Sequence, residues 1–85
     1  MPPLGWSPTD KTIHRTFATN SFVRGVEFVT AIKDLAEAVQ HHPDIILTYP
    51  AVIVTLTTHD LGQVTQKDID LAGQINDAWD RLAVA

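Results

Sequence analysis

Three histidines in the middle of the chain are the residues best suited to chemistry. His41 and His42 are adjacent and precede Pro43, and His59 closes a run rich in β-branched residues. Imidazole has an unperturbed pKa of about 6.5, so it can give or take a proton near neutral pH. Convergence of these three side chains at the ends of strands and loops would indicate proton chemistry.

Two other interpretations of the histidines follow from the same residue type. Imidazole is a common zinc ligand, so the three could instead form a metal-binding module, which a metal assay on the purified protein would reveal. The fourth histidine, His14, lies in a separate segment. A lone histidine in a small domain is usually a surface or hydrogen-bonded structural residue, and His14 is interpreted in that way.

The segment before the histidine pair is predicted to be a helix. Asn20 or Ser21 can cap its start, because a side-chain oxygen there accepts from the free amides of the first turn. Pro43 disfavours the helical conformation in the residue before it, so the helix should end near Gln40 or His41. In an irregular turn two adjacent imidazoles can face one cleft, whereas in a helix or strand neighbouring side chains diverge.

The apolar residues of this predicted helix recur at three- and four-residue steps. They form a stripe that consists of Phe22, Val26, Val29, Ile32, Ala36 and Val39. Gly25, inside the helix, lowers the stability of the helix by about 1 kcal/mol relative to alanine. Its presence indicates close packing against another element.

Alternating patterns predict strands at 11–18, 45–49 and 52–58, whereas the first ten residues should be irregular and anchored by Trp6. In the last strand the apolar face consists of Val52, Val54 and Leu56. The more polar face consists of Ile53, Thr55, Thr57 and His59. This alternation places His59 at the end of the polar face, away from the helices.

A second helix is predicted from a capping box at Thr65 to Asp68, in which Asp replaces the usual Glu or Gln. It should run to about Leu82. Its buried stripe consists of Ile69, Ala72, Ile75, Trp79 and Leu82. The elements together predict a single domain over residues 1–85, in the order β-α-β-β-α, with an antiparallel sheet.

Composition excludes several functional classes. Six Lys and Arg against ten Asp and Glu leave no basic stripe, so direct nucleic-acid binding is not expected. The absence of cysteine excludes disulfides and thiolate zinc sites. No apolar run approaches the roughly 20 residues of a membrane span. We therefore expect a cytoplasmic protein that makes no membrane contact and that compensates for its small core by self-association.

A longer pattern, E-x3-H-H-P-x5-Y-x9-H-x8-D, resembles the pterin-4a-carbinolamine dehydratase family, whose animal form is also a dimerisation cofactor of a homeodomain transcription factor. The pattern is formed by Glu37, His41, His42, Pro43, Tyr49, His59 and Asp68. The resemblance implies loss of water from a 4a-hydroxytetrahydropterin substrate to give quinonoid dihydropterin, with no metal or other cofactor. It also implies an α+β fold with two main helices on one face of an antiparallel sheet, and a homodimer or homotetramer assembled through sheet edges and helices.

The resemblance also implies the site residues. It assigns catalysis to the three histidines His41, His42 and His59. It assigns substrate binding to Glu37, Pro43, Thr58, Asp60, Leu61 and Asp68. Our hypothesis is that His42 and His59 are the acid-base pair and that His41 binds and polarises the hydroxyl group.

The remaining motif residues have simpler interpretations beside the functional ones. Tyr49 is interpreted as a packing residue, and Asp68 as either a helix cap or a site residue. Glu37 is either solvated or orients His41 one helical turn later, because residues i and i+4 are neighbours.

The competing function is that of a non-catalytic protein of the same fold. Dehydratase-like proteins include transcriptional cofactors and factors associated with RuBisCO assembly in carboxysome-bearing bacteria, so a protein client is the alternative partner. The complete histidine set favours the enzyme. The altered loop at Gly62 and Gln63 leaves room for the alternative, because family members commonly have glycine at the position of Gln63.

Overall fold

The computed structural model describes residues 2–84, apart from the side chains of residues 83 and 84. The elements within this range are β1 (Ser7–Pro8), β2 (Ile13–Phe17), α1 (Phe22–Val39), β3 (Asp44–Leu47), β4 (Val52–Leu56) and α2 (Gln66–Val84). The predicted β-α-β-β-α order is confirmed, with one further short strand ahead of it. Residues 1 and 85, which the predicted single domain includes, lie outside the described residues.

The sheet is antiparallel throughout, with the strand order β1-β2-β4-β3. The prediction that the first ten residues are wholly irregular is wrong, because Ser7 pairs with His14 in the short strand β1. Trp6 fixes this segment as expected. Its side chain is buried, and its indole Nε1 donates to Oδ1 of Asn76 in α2 at 2.8 Å.

One hydrophobic core holds both helices against one face of the sheet, as predicted. The sheet contributes Ile13, Phe17, Val52, Val54 and Leu56. The helices contribute Phe28, Ile32, Leu71, Ala72, Ile75 and Ala78. Phe17 and Phe28 meet edge to face, with their ring centroids 4.7 Å apart. Neither helix of the described chain combines the length and apolar character that a membrane-spanning helix needs.

The buried face of α1 differs from the predicted stripe. Phe22, Val26 and Val39 are exposed, and the fully buried residues are Gly25, Phe28, Ile32 and Ala36. Apolar residues occupy two adjoining faces of this helix, and only packing against the sheet selects between them. The stripe of α2 is closer to the prediction, since each of its five residues is buried or packs against the core.

Gly25 marks close packing, as its position in a helix indicated. A Cβ atom built on this residue would lie 2.7 Å from Cδ1 of Leu47 in β3, closer than non-bonded carbon atoms approach. The missing side chain therefore lets α1 lie directly on β3.

Candidate active site

The first two histidines lie directly after the end of α1. The helix ends at Val39, and Gln40 adopts a left-handed conformation with φ 52° and ψ 46°. The amide of His41 then donates to the carbonyl of Ala36 at 3.1 Å. The chain turns sharply here instead of continuing the helix, so His41 and His42 follow no helical periodicity.

The third histidine reaches the same place from a turn. Strand β4 ends at Leu56, and Thr58 then pairs with Gln63 to close a turn that contains Gly62 at φ 62°. The predicted position of His59, on the polar face and away from the helices, is wrong. Strand alternation stops before His59, so it does not determine where this side chain lies.

All three histidines line one hollow, which has a volume of about 220 Å³. Its lining consists of Gln40, His41, His42, Thr58, His59, Asp60 and Lys67. Gln40 and Lys67 were not among the predicted site residues. Lys67 could have been identified from the sequence as a candidate site residue. A cation is unfavourable in the first turn of a helix, so its presence there suggests another role.

Asp68 lies behind His41 and is completely buried. Its Oδ1 is 2.6 Å from Nε2 of His41, whose side chain is 12% exposed. Its Oδ2 accepts from the Thr58 hydroxyl and from the Thr65 amide, each at 2.8 Å. The predicted capping box is thus half formed, because the Thr65 hydroxyl bonds that of Thr58 and does not bond the amide of Asp68.

The surroundings of Asp68 keep its carboxyl group ionised. Burial alone would raise the pKa of Asp68, but the hydrogen bonds from His41, Thr65 and Thr58 lower it below the ordinary value of 3.8. An ionised carboxylate only accepts hydrogen bonds, so the shared proton belongs to Nε2 of His41. The Nδ1 atom of this ring is the one left to exchange a proton with a ligand.

Glu37 pairs with His42, not with His41. The distance from Oε2 of Glu37 to Nε2 of His42 is 2.5 Å, and both side chains are more than half exposed. The i to i+4 relation proposed for Glu37 and His41 fails because the helix has ended at Val39. Two adjacent imidazoles therefore each have a carboxylate partner, one buried and one in solvent.

The lining of the hollow does not include four of the six predicted substrate-binding residues, which are Glu37, Pro43, Leu61 and Asp68. Leu61 is 64% exposed at the tip of the turn, and Pro43 is half-buried beside the histidine pair. Tyr49 is exposed in the connection between β3 and β4, at the far end of β3 from the histidine pair, so its interpretation as a packing residue is wrong. His14 lies on the sheet face opposite the core, paired with Thr55.

The metal-binding interpretation finds no arranged ligand set in the part of the chain that the structure describes. No group of three His, Cys, Asp or Glu side chains between residues 2 and 84 is placed to hold one ion. Two of the three imidazoles are instead hydrogen-bonded through Nε2 to carboxylates.

Comparison with known proteins gives a consistent result. Residues 1–78 match the family described as pterin 4 alpha carbinolamine dehydratase. Relatives named provisionally as pterin-4-alpha-carbinolamine dehydratases include one from Picosynechococcus sp., 50% identical over 68 residues, which are 80% of this chain and 74% of that protein. Another, from Roseiflexus sp., is 47% identical over 73 residues, 86% of this chain and 78% of that protein.

Two solved structures share the fold. One is described as a transcriptional coactivator/pterin dehydratase from Brucella melitensis, with a TM-score of 0.83, 34% identity and coverage of 88% of this chain and 82% of that one. The other is a pterin dehydratase-like protein described as a RuBisCO assembly factor in the α-carboxysome, with a TM-score of 0.71 and coverage of 87% and 86%. At 20% identity the second likeness concerns the fold alone.

Proposed function

Because this chain belongs to the pterin 4 alpha carbinolamine dehydratase family, we propose that it catalyses the dehydration of a 4a-hydroxytetrahydropterin. The C4a–O bond breaks and its electron pair leaves with the oxygen, which takes a proton and departs as water. A proton leaves N5, and the electron pair of the N–H bond forms the N5=C4a double bond of quinonoid dihydropterin. Loss of water needs no oxidant or reductant, and its two proton transfers can be made by side chains, so we propose that the step uses neither a metal nor an organic cofactor.

The observation that supports this proposal is the convergence of three imidazoles on one hollow. The reaction needs a proton donor at oxygen and a proton acceptor at nitrogen. Imidazole can serve as either near neutral pH, and general acid-base catalysis of this kind contributes about 100- to 10,000-fold. The three rings also differ in their hydrogen bonding, so they can be given different roles.

We assign the acid to His42 and the base to His59. Glu37 lies beside His42 and can serve as the counter-ion when this ring is protonated. The His59 side chain makes no hydrogen bond or ion pair to the residues that the structure describes, so it is free to accept a proton. His41, held by Asp68 through Nε2, binds and polarises the hydroxyl group through Nδ1.

The predicted substrate-binding residues divide into two groups under this proposal. Thr58 and Asp60 line the hollow and contact the pterin, whereas Pro43 and Leu61 lie outside the lining and only follow His42 and Asp60 in the chain. Glu37 and Asp68 act through the histidines as positioning residues. We prefer this role for Asp68 to direct substrate contact, because its carboxylate is buried and both oxygens already accept hydrogen bonds.

The proposal is tested by measuring, in a stopped-flow instrument, the rate at which the protein dehydrates freshly generated carbinolamine. Alanine replacement of His41, His42 or His59 should each slow dehydration by about 100-fold or more. His14→Ala is the matched control and should leave the rate unchanged, since this residue lies on the opposite sheet face. Unchanged turnover in all three site variants would refute the mechanism.

A second candidate function is that of a protein-binding factor. It is favoured by exposed apolar side chains on the first turns of α1, where Phe22, Val23 and Val26 are between 44% and 69% exposed. Such a face fits a protein client or the homodimer or homotetramer that we propose. Light scattering of Val23→Lys beside the wild type tests self-association. If the histidine variants retain an association that Val23→Lys loses, the two functions are separable.

A further inference from the structure

Thr65 lies directly before α2, where a threonine side chain normally caps the helix. In a capping box its hydroxyl would accept from the amide of Asp68. That amide donates instead to the backbone carbonyl of Thr65 at 3.0 Å. The Thr65 hydroxyl is bonded to the hydroxyl of Thr58 at 2.7 Å, and Thr58 lines the hollow that the three histidines share, the histidine hollow. The side chain of Thr65 therefore contacts a residue of the site and makes no capping bond to its own helix.

The direction of this hydrogen bond follows from its neighbours. Thr58 has one hydroxyl proton, and it donates that proton to Oδ2 of Asp68 at 2.8 Å. The ionised carboxylate of Asp68 can only accept. The oxygen of Thr58 must then accept from the other hydroxyl, so Thr65 is the donor of the pair. The bonds form one chain from Thr65 through Thr58 to Asp68, and His41 meets this carboxylate from the other side through Nε2.

The chain of hydrogen bonds joins three segments that are separate in the sequence. Thr58 begins the turn that contains His59, Thr65 precedes α2, and His41 follows the end of α1. A hydroxyl that accepts one hydrogen bond donates the next more strongly, because successive bonds polarise one another. Loss of the Thr65 hydroxyl should therefore weaken the bond from Thr58 to Asp68, and with it the contact that fixes the proton on His41.

We infer, on the basis of the proposed function, that Thr65 is a positioning residue of the dehydratase site. It lies outside the lining of the histidine hollow, so it is not assigned a contact with the substrate. It acts through the Thr58 hydroxyl, which it holds towards Asp68, and so maintains the carboxylate that binds His41. Thr58 then offers no hydroxyl proton to a ligand, because that proton is donated to Asp68.

The kinetics of Thr65→Val test this role, because valine has the shape of threonine and lacks the hydroxyl. The variant should lower kcat for dehydration about three- to tenfold with KM unchanged, as expected for the loss of one hydrogen bond. Thr65→Ser keeps the hydroxyl and should restore kcat. Thr48→Val is the matched control, since the Thr48 hydroxyl donates to the carbonyl of Ala51 at the far end of β3 from the histidine pair. It should leave both constants unchanged.

The titration of Asp68 gives a measurement that does not depend on turnover. Burial raises the pKa of Asp68, but the hydrogen bonds from His41, Thr65 and Thr58 lower it below 3.8. With a weaker bond from Thr58, the carboxyl carbon resonance of Asp68 should titrate about half a pH unit higher in Thr65→Val than in the wild type. Thr65→Ser and Thr48→Val should match the wild type. His41 is the titratable group in contact with this carboxylate, and the ordinary pKa of imidazole, about 6.5, lies well above this range.

Unchanged kcat in Thr65→Val, a raised KM alone, or an unshifted Asp68 titration overturns the inference. Thermal unfolding shows whether each variant is folded. Thr65→Ala covers the case in which Thr65→Val does not fold, and the same results are expected of it. If both variants fail to fold while Thr65→Ser folds, the hydroxyl serves folding and the positioning role is overturned.

Failure of the proposed function gives a different result. In that case the wild type dehydrates no carbinolamine, and the Asp68 titration decides whether Thr65 acts on the pair of His41 and Asp68. A shift in Thr65→Val that is absent in Thr65→Ser would support that action and overturn the proposed catalysis. Equal titrations in an inactive wild type and in Thr65→Val would overturn both.

Discussion

Nε2 of His41 lies 2.6 Å from Oδ1 of Asp68, in a pair whose carboxylate is completely buried. The adjacent His42 makes the corresponding contact with Glu37 in solvent, where 56% of the imidazole and 57% of the carboxylate side chain are exposed. The two adjacent imidazoles thus form carboxylate pairs that should contribute very differently to stability. Exposed pairs contribute little, whereas a buried carboxylate left without its partners is costly.

We expect Asp68→Asn to lower kcat for dehydration about 100-fold, because an amide no longer fixes the proton on Nε2 of His41. Glu37→Gln should lower it less than tenfold, because the exposed carboxylate contributes only about 0–1 kcal/mol. Stopped-flow kinetics that separate kcat from KM measure both effects.

A positioning role for Asp68 also predicts an unchanged KM and a displaced pH profile of kcat in Asp68→Asn. Thermal unfolding shows whether the variant is folded at the assay temperature. Equal losses of kcat in the two variants would contradict the distinction between the pairs, and a raised KM alone would indicate that Asp68 contacts the substrate.

The buried carboxylate also predicts how stability depends on pH. Burial would raise the pKa of Asp68, but its hydrogen bonds lower the folded-state pKa below 3.8. The unfolded chain therefore takes up this proton at a higher pH than the folded chain. The stabilisation is complete above the unfolded pKa and is lost as the pH falls through the lower, folded pKa.

The free energy of unfolding, measured in urea, should accordingly differ between wild type and Asp68→Asn by a constant amount above about pH 5. The difference should shrink on acidification below the ordinary pKa of 3.8. Asp80→Asn is the control, since this carboxylate is exposed and lies outside the network. Parallel curves for wild type and Asp68→Asn down to the acid transition would show that the network gives no such linkage.

The two helical glycines should respond oppositely to substitution. A Cβ at Gly73 meets nothing within 4 Å, so Gly73→Ala should stabilise the protein by up to about 1 kcal/mol through helix propensity. A Cβ at Gly25 lies 2.7 Å from Leu47, so Gly25→Val should destabilise it by about 1–3 kcal/mol through overpacking. Urea unfolding of both variants measures the difference, and a stabilised Gly25→Val would show that α1 does not lie on β3 as described.

Helix ends and strand faces could be predicted from the sequence, because they depend on interactions between residues that are close in the chain. The Ser21 hydroxyl accepts from the amide of Arg24 at 3.2 Å and caps α1 as expected. The helix stops just before the histidine pair, as Pro43 indicated. The alternation of Val52, Val54 and Leu56 gave the buried face of β4 correctly. Each depends on a side chain acting on its own backbone or on strand periodicity.

The sequence by itself thus determined the α+β elements, their order and the residue types of the proposed proton-transfer site. Only the tertiary structure decided which carboxylate pairs with His41 and His42 and where His59 lies. It also decided that Lys67 lines the histidine hollow and which face of α1 is buried. The physical reason is that backbone preferences act over one turn or one strand, whereas Asp68 and His41, 27 residues apart, meet only after α1 and α2 pack on the same sheet face. Left-handed Gln40 ends the helical spacing, and the turn at Gly62 ends the strand alternation, so no periodic rule extends to the histidines.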